Sequence, residues 1–267
     1  MREIAFSQRN LTGLITTRAN PEINQTLGFN SEYCNMKINA NFNERVVIRP
    51  SDYKWQPSPM PNVERMMLDR IGDEVARATS IVKYGANSEF PRHTHVGGEE
   101  ILVLEGIFAD EFGEYPAGTY LRNPIGTSHT PKVGQDGATI MVKLCQFDDL
   151  DTQQVCLDTN KNFWQQGIVP GLQVMTLHQF EHEHVALVKW QPNTQFSQHR
   201  HWGGEEIFVI SGTFHDEHGI YPSGTWIRSP HQSIHTPFTL DDGALIYVKT
   251  GHLMDDMSKF SALHEQS

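Results

Sequence analysis

The chain has 267 residues, of which 38% are hydrophobic, and a formal net charge of −11. This length allows one large or two ordinary domains. The acidic balance argues against nucleic acid and anionic membranes as partners, because phosphate binding needs a basic surface. No apolar run approaches the ~20 residues of a transmembrane helix, and the N-terminus lacks the apolar segment of a secretory signal. The three cysteines form no C-x-x-C pair, which favours a reducing cytoplasm.

The chain begins with a weakly patterned stretch and continues as short strands. Residues 1–35 are rich in Asn, Thr and Gln, and we expect a poorly ordered extension. Short β-branched or apolar runs follow, separated by Gly, Asn, Asp and Pro, and each such run predicts a strand. In the first half they are residues 46–48, 79–84, 101–108, 119–121 and 140–144. Residues 63–77 could hold one helical turn, although Gly72 argues against a long helix.

Regularly spaced strands with little helical periodicity predict an all-β sandwich or barrel. Residues 101–104 (ILVL) and 207–210 (IFVI) are apolar at every position. A strand of that composition is covered on both of its faces. Three candidates for the outer cover are the other half of the chain, the N-terminal segment and a second copy of the protein.

The chain contains one long internal repeat. Residues 82–143 align with residues 188–249 at a constant offset of 106, and the match continues upstream at an offset of 109. A repeat of this length is a domain rather than a solenoid unit. We therefore predict an extension at 1–35, a first domain at 36–148 and a second at 149–267, with the polar run 148–151 as the connector.

The sequence HTHVGGEE contains two histidines and a glutamate at alternate positions, His93, His95 and Glu99. On an extended strand, alternate side chains share one face. This periodicity predicts that the three side chains point inward together and that Gly97 leaves room between them for a metal. The same argument directs Glu100 outward, to be solvated or hydrogen-bonded outside the barrel.

The repeat carries the same set again as His199, His201 and Glu205. A fourth ligand must come from elsewhere, and the repeat-matched candidates are His129 and His235, each in a His-Thr-Pro sequence. Imidazoles with one carboxylate suit Zn, Fe, Mn, Ni or Cu. The doubled set predicts one divalent metal site in each half.

The remaining histidines and two arginines receive simpler interpretations. Arg122 and Arg228 correspond in the repeat, and they either form structural ion pairs or hold an anionic substrate. Histidines without a histidine at the matching position of the repeat are expected at the surface. These are His178, His182, His184, His215, His218, His231, His252 and His264.

The residues around both His-x-His pairs resemble the first conserved motif of the cupin superfamily, G-x5-H-x-H-x3,4-E-x6-G. The closing glycine of the motif is Gly106 in the first half, and Asn87 and Asn193 replace the leading glycine. Asparagine also tolerates a left-handed turn, so this departure is mild. The second cupin motif, G-x5-P-x-G-x2-H-x3-N, is matched from Gly118 to His129, whereas its last residue is replaced in both halves.

Within the cupins, residues 55–61, 98–106 and 115–120 resemble the cupin-like domains of ChrR-type anti-sigma factors. The resemblance implies two tandem jelly-roll barrels, each holding a divalent transition metal, with Zn and Fe as the leading candidates. It implies the ligands His93, His95, Glu99 and His129, then His199, His201, Glu205 and His235.

One departure from ChrR limits the functional analogy. ChrR binds its sigma factor through a separate zinc domain with an H-x3-C-x2-C motif, whereas residues 1–45 contain no histidine and only Cys34. We therefore do not expect a sigma factor as partner. The expected function is binding of, or action on, a small oxygenated organic molecule, as in iron dioxygenases of this fold. The alternative is a zinc-dependent sensory module without catalysis, and a homodimer is a further candidate assembly.

Overall fold

The computed structural model describes residues 36–253, whose regular secondary structure is almost entirely β-strand. Within this range the one helical element is a 3-10 turn at Pro50–Asp52. The predicted all-β fold is thereby confirmed, while the expected extension at residues 1–35 lies outside the described residues. Among residues 36–253, no helix is long and apolar enough to cross a bilayer.

The strands of the first half are β1 (Lys37–Ile38), β2 (Val46–Ile48), β3 (Gln56–Pro57), β4 (Val63–Gly72), β5 (Ala76–Tyr84), β6 (His93–Thr94), β7 (Glu99–Ala109), β8 (Glu114–Pro116), β9 (Thr119–Asn123), β10 (Ser128–His129) and β11 (Lys132–Leu144). Those of the second half are β12 (Val155–Asp158), β13 (Gln165–Gln166), β14 (Leu172–Phe180), β15 (Glu183–Trp190), β16 (His199–Arg200), β17 (Glu205–Asp216), β18 (Gly219–Pro222), β19 (Trp226–Ser229), β20 (Ile234–His235) and β21 (Ala244–Thr250).

These strands form two jelly-roll barrels, each from one large sheet and one two-stranded sheet. The large sheet of the first barrel has the order β1-β4-β5-β11-β7-β9-β12, and that of the second has the order β13-β14-β15-β21-β17-β19-β2. The small sheets are β6 with β10 and β16 with β20. The helical turn considered for residues 63–77 is wrong, because β4 and β5 pair as a hairpin in which Gly72 adopts φ +107.

Each barrel takes its outermost strand from the other half of the chain. Strand β2 pairs antiparallel with β19 of the second barrel, where Ile48 faces Trp226. Strand β12 pairs antiparallel with β9 of the first barrel, where Leu157 faces Tyr120. Because β2 and β12 correspond in the repeat, the exchange is reciprocal. The domain limits 36–148 and 149–267 stay a prediction from the repeat, and strand pairing crosses them in both directions.

Strand β7 explains why the run ILVL is apolar at every position. Ile101 and Val103 point into a core inside the first barrel, and Leu102 points into a core shared by both barrels. In the second half, Phe208 enters the shared core while Ile207 points into its own barrel. The outer cover is therefore the other barrel. Burying each such side chain stabilises the fold by about 1.5–3 kcal/mol, so the shared core binds the barrels firmly together.

Two buried ion networks flank the shared core. Glu100, only 2% exposed, accepts hydrogen bonds from Arg122 Nη1 at 3.1 Å, Lys249 Nζ at 2.8 Å and the Tyr247 hydroxyl. Burial acts to raise the pKa of Glu100, but Lys249 and Arg122 outweigh it and lower that pKa. The predicted outward direction of Glu100 is correct, whereas the solvated alternative is wrong because the second barrel covers it.

Glu206, the repeat mate of Glu100, lies in the matching network. It accepts hydrogen bonds from Lys143 Nζ at 2.6 Å and from Trp226 Nε1 at 2.8 Å, and its Oε2 lies 2.7 Å from His252 Nε2. The His252 side chain is 4% exposed. His178 is likewise 4% exposed, with Nε2 2.8 Å from Asp151 Oδ2. The surface prediction is therefore wrong for these two histidines, which the meeting of the barrels buries. It is also wrong for His215, which is buried and stacks on Phe238, while His264 lies outside the described residues.

The two repeat-matched arginines are structural. Arg122 Nη1 donates to Glu183 Oε1 at 3.0 Å, and Arg228 Nη1 donates to Asp69 Oδ2 at 3.0 Å. Both guanidinium groups are at most 1% exposed. Of the two interpretations offered by the sequence, the ion pair is confirmed.

Candidate metal centres

The first His/Glu cluster is assembled from two short strands and a turn. His93 on β6 and His129 on β10 are register partners. His95 follows β6, the chain turns at Val96 and Gly97, and Glu99 begins β7. The backbone does not run extended through the glycines. Glu99 therefore reaches the histidines through a turn, and the predicted strand alternation does not explain its position.

Gly97 has a different role from the one predicted. A Cβ atom at this position would lie 2.6 Å from Cys145 Cα and 2.9 Å from Cys145 Sγ. The glycine therefore allows the turn to pack against the end of β11, and the prediction that it leaves space for the metal is wrong. Gly98, with φ +77, approaches the Phe147 ring in the same way.

The structure brings all four predicted side chains of the first half together. One ligand atom each from His93, His95, Glu99 and His129 lie within 4.8 Å of one another. Glu99 Oε2 is 3.4 Å from both His95 Nε2 and His129 Nε2. Those two nitrogens are buried and have no hydrogen-bond partner among the described residues. Buried donor atoms left unpaired in one small space fit a cation bound between them.

The opposite edges of the rings are held by other groups. His129 Nδ1 lies 3.1 Å from Asp110 Oδ2, and His93 Nδ1 lies 3.1 Å from the Pro91 carbonyl. Asn123 Nδ2 donates to Glu99 Oε2 at 3.0 Å. Such contacts fix the orientation of the rings and leave the Nε2 atoms directed at the centre of the cluster.

The electrostatics of the first cluster favour neutral imidazoles. Burial and the neighbouring His129 and His93 lower the pKa of His95 to about 3. Burial also lowers the pKa of His129, although Asp110 opposes the shift. Burial raises the pKa of Glu99 to about 7. Neutral imidazoles have the free lone pair that a metal ion needs, so these residues fit a divalent cation.

The second half forms a matching cluster. Ligand atoms of His199, His201 and His235 lie within 4.8 Å of one another. Glu205 Oε1 is 3.5 Å from His201 Nε2, and Glu205 Oε2 is 3.6 Å from His235 Nε2. The two imidazoles approach to 3.0 Å between His201 Nε2 and His235 Nε2. The three predicted histidines of this half therefore lie together, and Glu205 lies beside two of them without joining the 4.8 Å group that Glu99 joins in the first half.

Protonation differs between the two clusters. Burial lowers the pKa of His201 to about 3 and raises that of Glu205 to about 7, as for their counterparts. For His235, burial acts to lower the pKa, but the hydrogen bond to Asp216 and the charge of Glu205 outweigh it and raise the pKa.

Sequence reasoning overlooked the carboxylates that hold the fourth histidine of each set. Asp110 contacts His129, and Asp216 Oδ2 lies 3.5 Å from His235 Nδ1. Asp110 Oδ1 accepts from the Phe112 amide at 2.8 Å and from the Tyr115 hydroxyl at 2.9 Å. The sequence does contain a signal for these two aspartates, because the Asp-Glu pair at 110–111 recurs at 216–217 in the repeat.

A cavity of about 50 Å³ opens beside the first cluster. It reaches His95 and His129 and is bordered by Asp110, Tyr115 and Asn123. Residues of the exchanged strand and its approach complete the wall, namely Gln154, Val155 and Cys156. The second half of the chain thus contributes to the surroundings of the first cluster.

A third group of possible ligands, Asp151, His178 and Glu183, also lies within 4.8 Å. Its carboxylates are already bound to cations, because Arg122 contacts both of them and Lys249 Nζ lies 2.9 Å from Glu183 Oε1. This group belongs to the ion network between the barrels.

Two jelly-roll barrels in one chain, each with a His/Glu cluster inside, define a bicupin. The family model of the ChrR cupin-like domain matches residues 43–148 and again residues 152–254. The chain therefore belongs to this family, with two copies of the domain. The predicted tandem cupin fold is confirmed. A sequence comparison with curated proteins gave no match.

Solved structures with the same fold share little sequence with this chain. A candidate dioxygenase from Nostoc punctiforme has 18% identity and a TM-score of 0.62, covering 85% of this chain and 86% of its own. The YlbA protein of E. coli has 14% identity and a TM-score of 0.63, with coverages of 81% and 94%. Oxalate decarboxylase of Lactobacillus farciminis, in a formate complex, has 11% identity and a TM-score of 0.55, with coverages of 81% and 90%.

Proposed function

We propose that each barrel holds one divalent transition metal through three imidazoles and one carboxylate. The ligands are His93, His95, Glu99 and His129 in the first barrel, and His199, His201, Glu205 and His235 in the second. The observation that carries the proposal is the pair of buried, unpaired Nε2 atoms of His95 and His129, both facing Glu99 Oε2.

We further propose that the first site binds or acts on a small oxygenated organic molecule. The adjoining cavity of about 50 Å³ has room for a few water molecules or a ligand of similar size. A bound zinc or iron ion would supply Lewis acidity and open coordination positions there. Asn123 and Gln154 offer neutral hydrogen-bonding groups, and Leu121 and Val155 offer apolar wall. This lining suits a ligand held mainly by its oxygen atoms.

Two functions remain consistent with this site. In the first, iron serves an oxygen-dependent reaction, and two proteins of the same fold carry dioxygenase and oxalate decarboxylase descriptions. In the second, zinc makes the first barrel a sensory ligand-binding module, as its kinship with the ChrR cupin-like domain suggests. A sigma factor is not part of either proposal.

Metal content tests the site directly. We expect protein purified without oxygen to contain up to two metal ions, and H93A or E99A to lower the content by about half, because each change removes one ligand of one site. Metal analysis by mass spectrometry gives the count. The control is E105Q, which changes an exposed carboxylate of the same barrel. Unchanged metal in both H93A and E99A would refute the first site.

The identity of the metal separates the two functions. Iron together with oxygen uptake in the presence of a small dicarbonyl, hydroxy ketone or dicarboxylate supports the enzyme. Tightly bound zinc, with no oxygen uptake across that panel, supports the sensory module. An oxygen electrode and calorimetric titration with the same compounds give the two measurements.

A further inference from the structure

The surroundings of the two clusters differ at a position that the opposite half of the chain supplies. Strands β2 and β12 each complete the barrel of the opposite half. The residue immediately before each strand lies near the His/Glu cluster of the barrel that the strand completes. That residue is Gln154 before β12 in the first barrel and Arg45 before β2 in the second. The two positions correspond at the repeat offset of 109.

Arg45 binds the carboxylate that holds His235. Its Nη2 donates to Asp216 Oδ2 at 2.9 Å and to the Tyr221 hydroxyl at 2.7 Å, and Tyr221 donates in turn to Asp216 Oδ1 at 2.6 Å. The Arg45 guanidinium also lies 5.4 Å from the centre of the Tyr221 ring. The Asp216 side chain is 2% exposed, so the ion pair is shielded from water on the side of the carboxylate.

The corresponding carboxylate of the first barrel has no such cation. Asp110 accepts from the Tyr115 hydroxyl and from backbone amides, and within residues 36–253 it pairs with no lysine or arginine. Gln154 shares the cavity wall with Asp110 and Tyr115 and carries no charge. In both barrels a tyrosine hydroxyl donates to the aspartate, and the aspartate lies beside the fourth histidine.

The difference leaves Asp110 without a cation and makes Asp216 share its negative charge with Arg45. A carboxylate bonded to the far nitrogen of an imidazole makes that imidazole a stronger metal ligand. In the first barrel the Asp110–His129 contact is 3.1 Å, and in the second the Asp216–His235 contact is 3.5 Å. Asp216 Oδ2 is shared with Arg45, so part of the negative charge facing His235 Nδ1 is already compensated.

We propose that Arg45 weakens divalent-cation binding in the second barrel, so that the first site fills before the second. The residue that sets this order lies on the opposite half of the chain and reaches the site through the exchanged strand. The proposal rests on the proposed function, because it requires both clusters to bind metal.

Cobalt titration of the metal-free full-length protein tests the proposal. Co²⁺ absorption bands report binding, a chromophoric chelator gives the affinities, and H95A and H201A identify the site behind each phase. We expect the second site to be about 10–100-fold weaker than the first. R45Q should strengthen the second site at least about tenfold, and the reciprocal change Q154R should weaken the first by a similar factor.

Two control variants separate the charge of Arg45 from other effects. R45K retains the charge and should keep the second site weak. Arg49 lies 5.8 Å from the centre of the same Tyr221 ring but has no bond to Asp216, so R49Q should leave both affinities unchanged.

Several results would overturn the proposal. Equal affinities in the unaltered protein, together with no effect of R45Q, reject it while leaving the metal sites in place. An effect of R49Q as large as that of R45Q, or R45K behaving like R45Q, also rejects it. Absence of Co²⁺ binding at both clusters rejects this proposal and the proposed function together.

Discussion

At the scale of single residues, a carboxylate outside the ligand set governs the geometry of each cluster. Asp110 is 8% exposed and receives its hydrogen bonds from a hydroxyl and two backbone amides, which leaves Oδ2 for His129. The ring is thereby fixed with Nε2 towards Glu99. A ligand held in position before the metal arrives loses little conformational entropy on binding.

Replacing Asp110 by asparagine should weaken metal binding while preserving the fold. Asparagine has nearly the same shape but no charge, so it no longer strengthens the basicity of His129. We expect D110N to lower the affinity of the first site by about 10–100-fold. Competition with a chromophoric chelator measures the affinity, and E105Q serves as the matched control. An unchanged affinity in D110N would show that Asp110 acts only in folding.

The His/Glu clusters could be predicted from the sequence because the complete pattern occurs twice in register. Their surroundings could not. Whether Gly97 leaves space for a ligand or for Cys145 depends on the path of a distant strand end. Glu100 and His252 look solvent-exposed in isolation, and only the meeting of the two barrels buries them. Residue patterns report local periodicity, whereas these environments are set by tertiary contacts.

At the scale of elements, the exchanged strands hold the two halves of the chain together. Strand β12 completes the first barrel beside β9, and β2 completes the second beside β19. The repeat predicted two similar units, but it contained no signal for the exchange, because strand pairing between distant segments is not visible in local periodicity. Leu150 in the connector is 77% exposed, so the polypeptide is accessible to cleavage there.

Cutting the connector should leave the protein assembled. A site for a specific protease inserted between Asp149 and Leu150 would separate the chain covalently, while both exchanged strands and the shared core stay in place. We expect the two fragments to co-elute on gel filtration at the position of the intact protein and to separate only in denaturant. Elution of separate fragments under native conditions would contradict the exchange.

At the scale of the whole molecule, the shared core and its ion networks join the two barrels into one cooperative unit. Lys143 and Lys249 are at most 1% exposed, and each pairs with a glutamate contributed by the opposite half of the chain. Removing one partner of a buried pair leaves an uncompensated charge, at a cost of about 3–5 kcal/mol. A substitution in either ion network is therefore expected to destabilise both barrels.

Acid should unfold both barrels together. The folded state lowers the pKa of Glu100 and that of Glu206, since the attraction of Lys249 and Lys143 outweighs the opposing effect of burial. Groups whose pKa is lowered on folding stabilise the protein above their ordinary pKa, here 4.5, and lose this contribution as pH falls through the folded value. The melting temperature should therefore fall progressively below about pH 4.5.

Circular-dichroism melts of the metal-free protein between about pH 7 and pH 3 measure this effect without a contribution from metal release. For a folded region of this size, each kcal/mol lost lowers the melting temperature by about 2–4 °C. One transition at every pH is expected. Two separate transitions, or a melting temperature that does not change below pH 4.5, would contradict the cooperative unit.

The reciprocal exchange of β2 and β12 also has a consequence for the symmetry of an assembly built from single repeats. A polypeptide with a single repeat would expose one open sheet edge and carry one strand without a partner, so two identical copies would have to complete each other. Joining two repeats in one chain makes that assembly intramolecular and fixes its stoichiometry at every dilution. It also lets the two halves diverge, as Arg45 and Gln154 have, whereas a symmetric pair must carry the same residue twice.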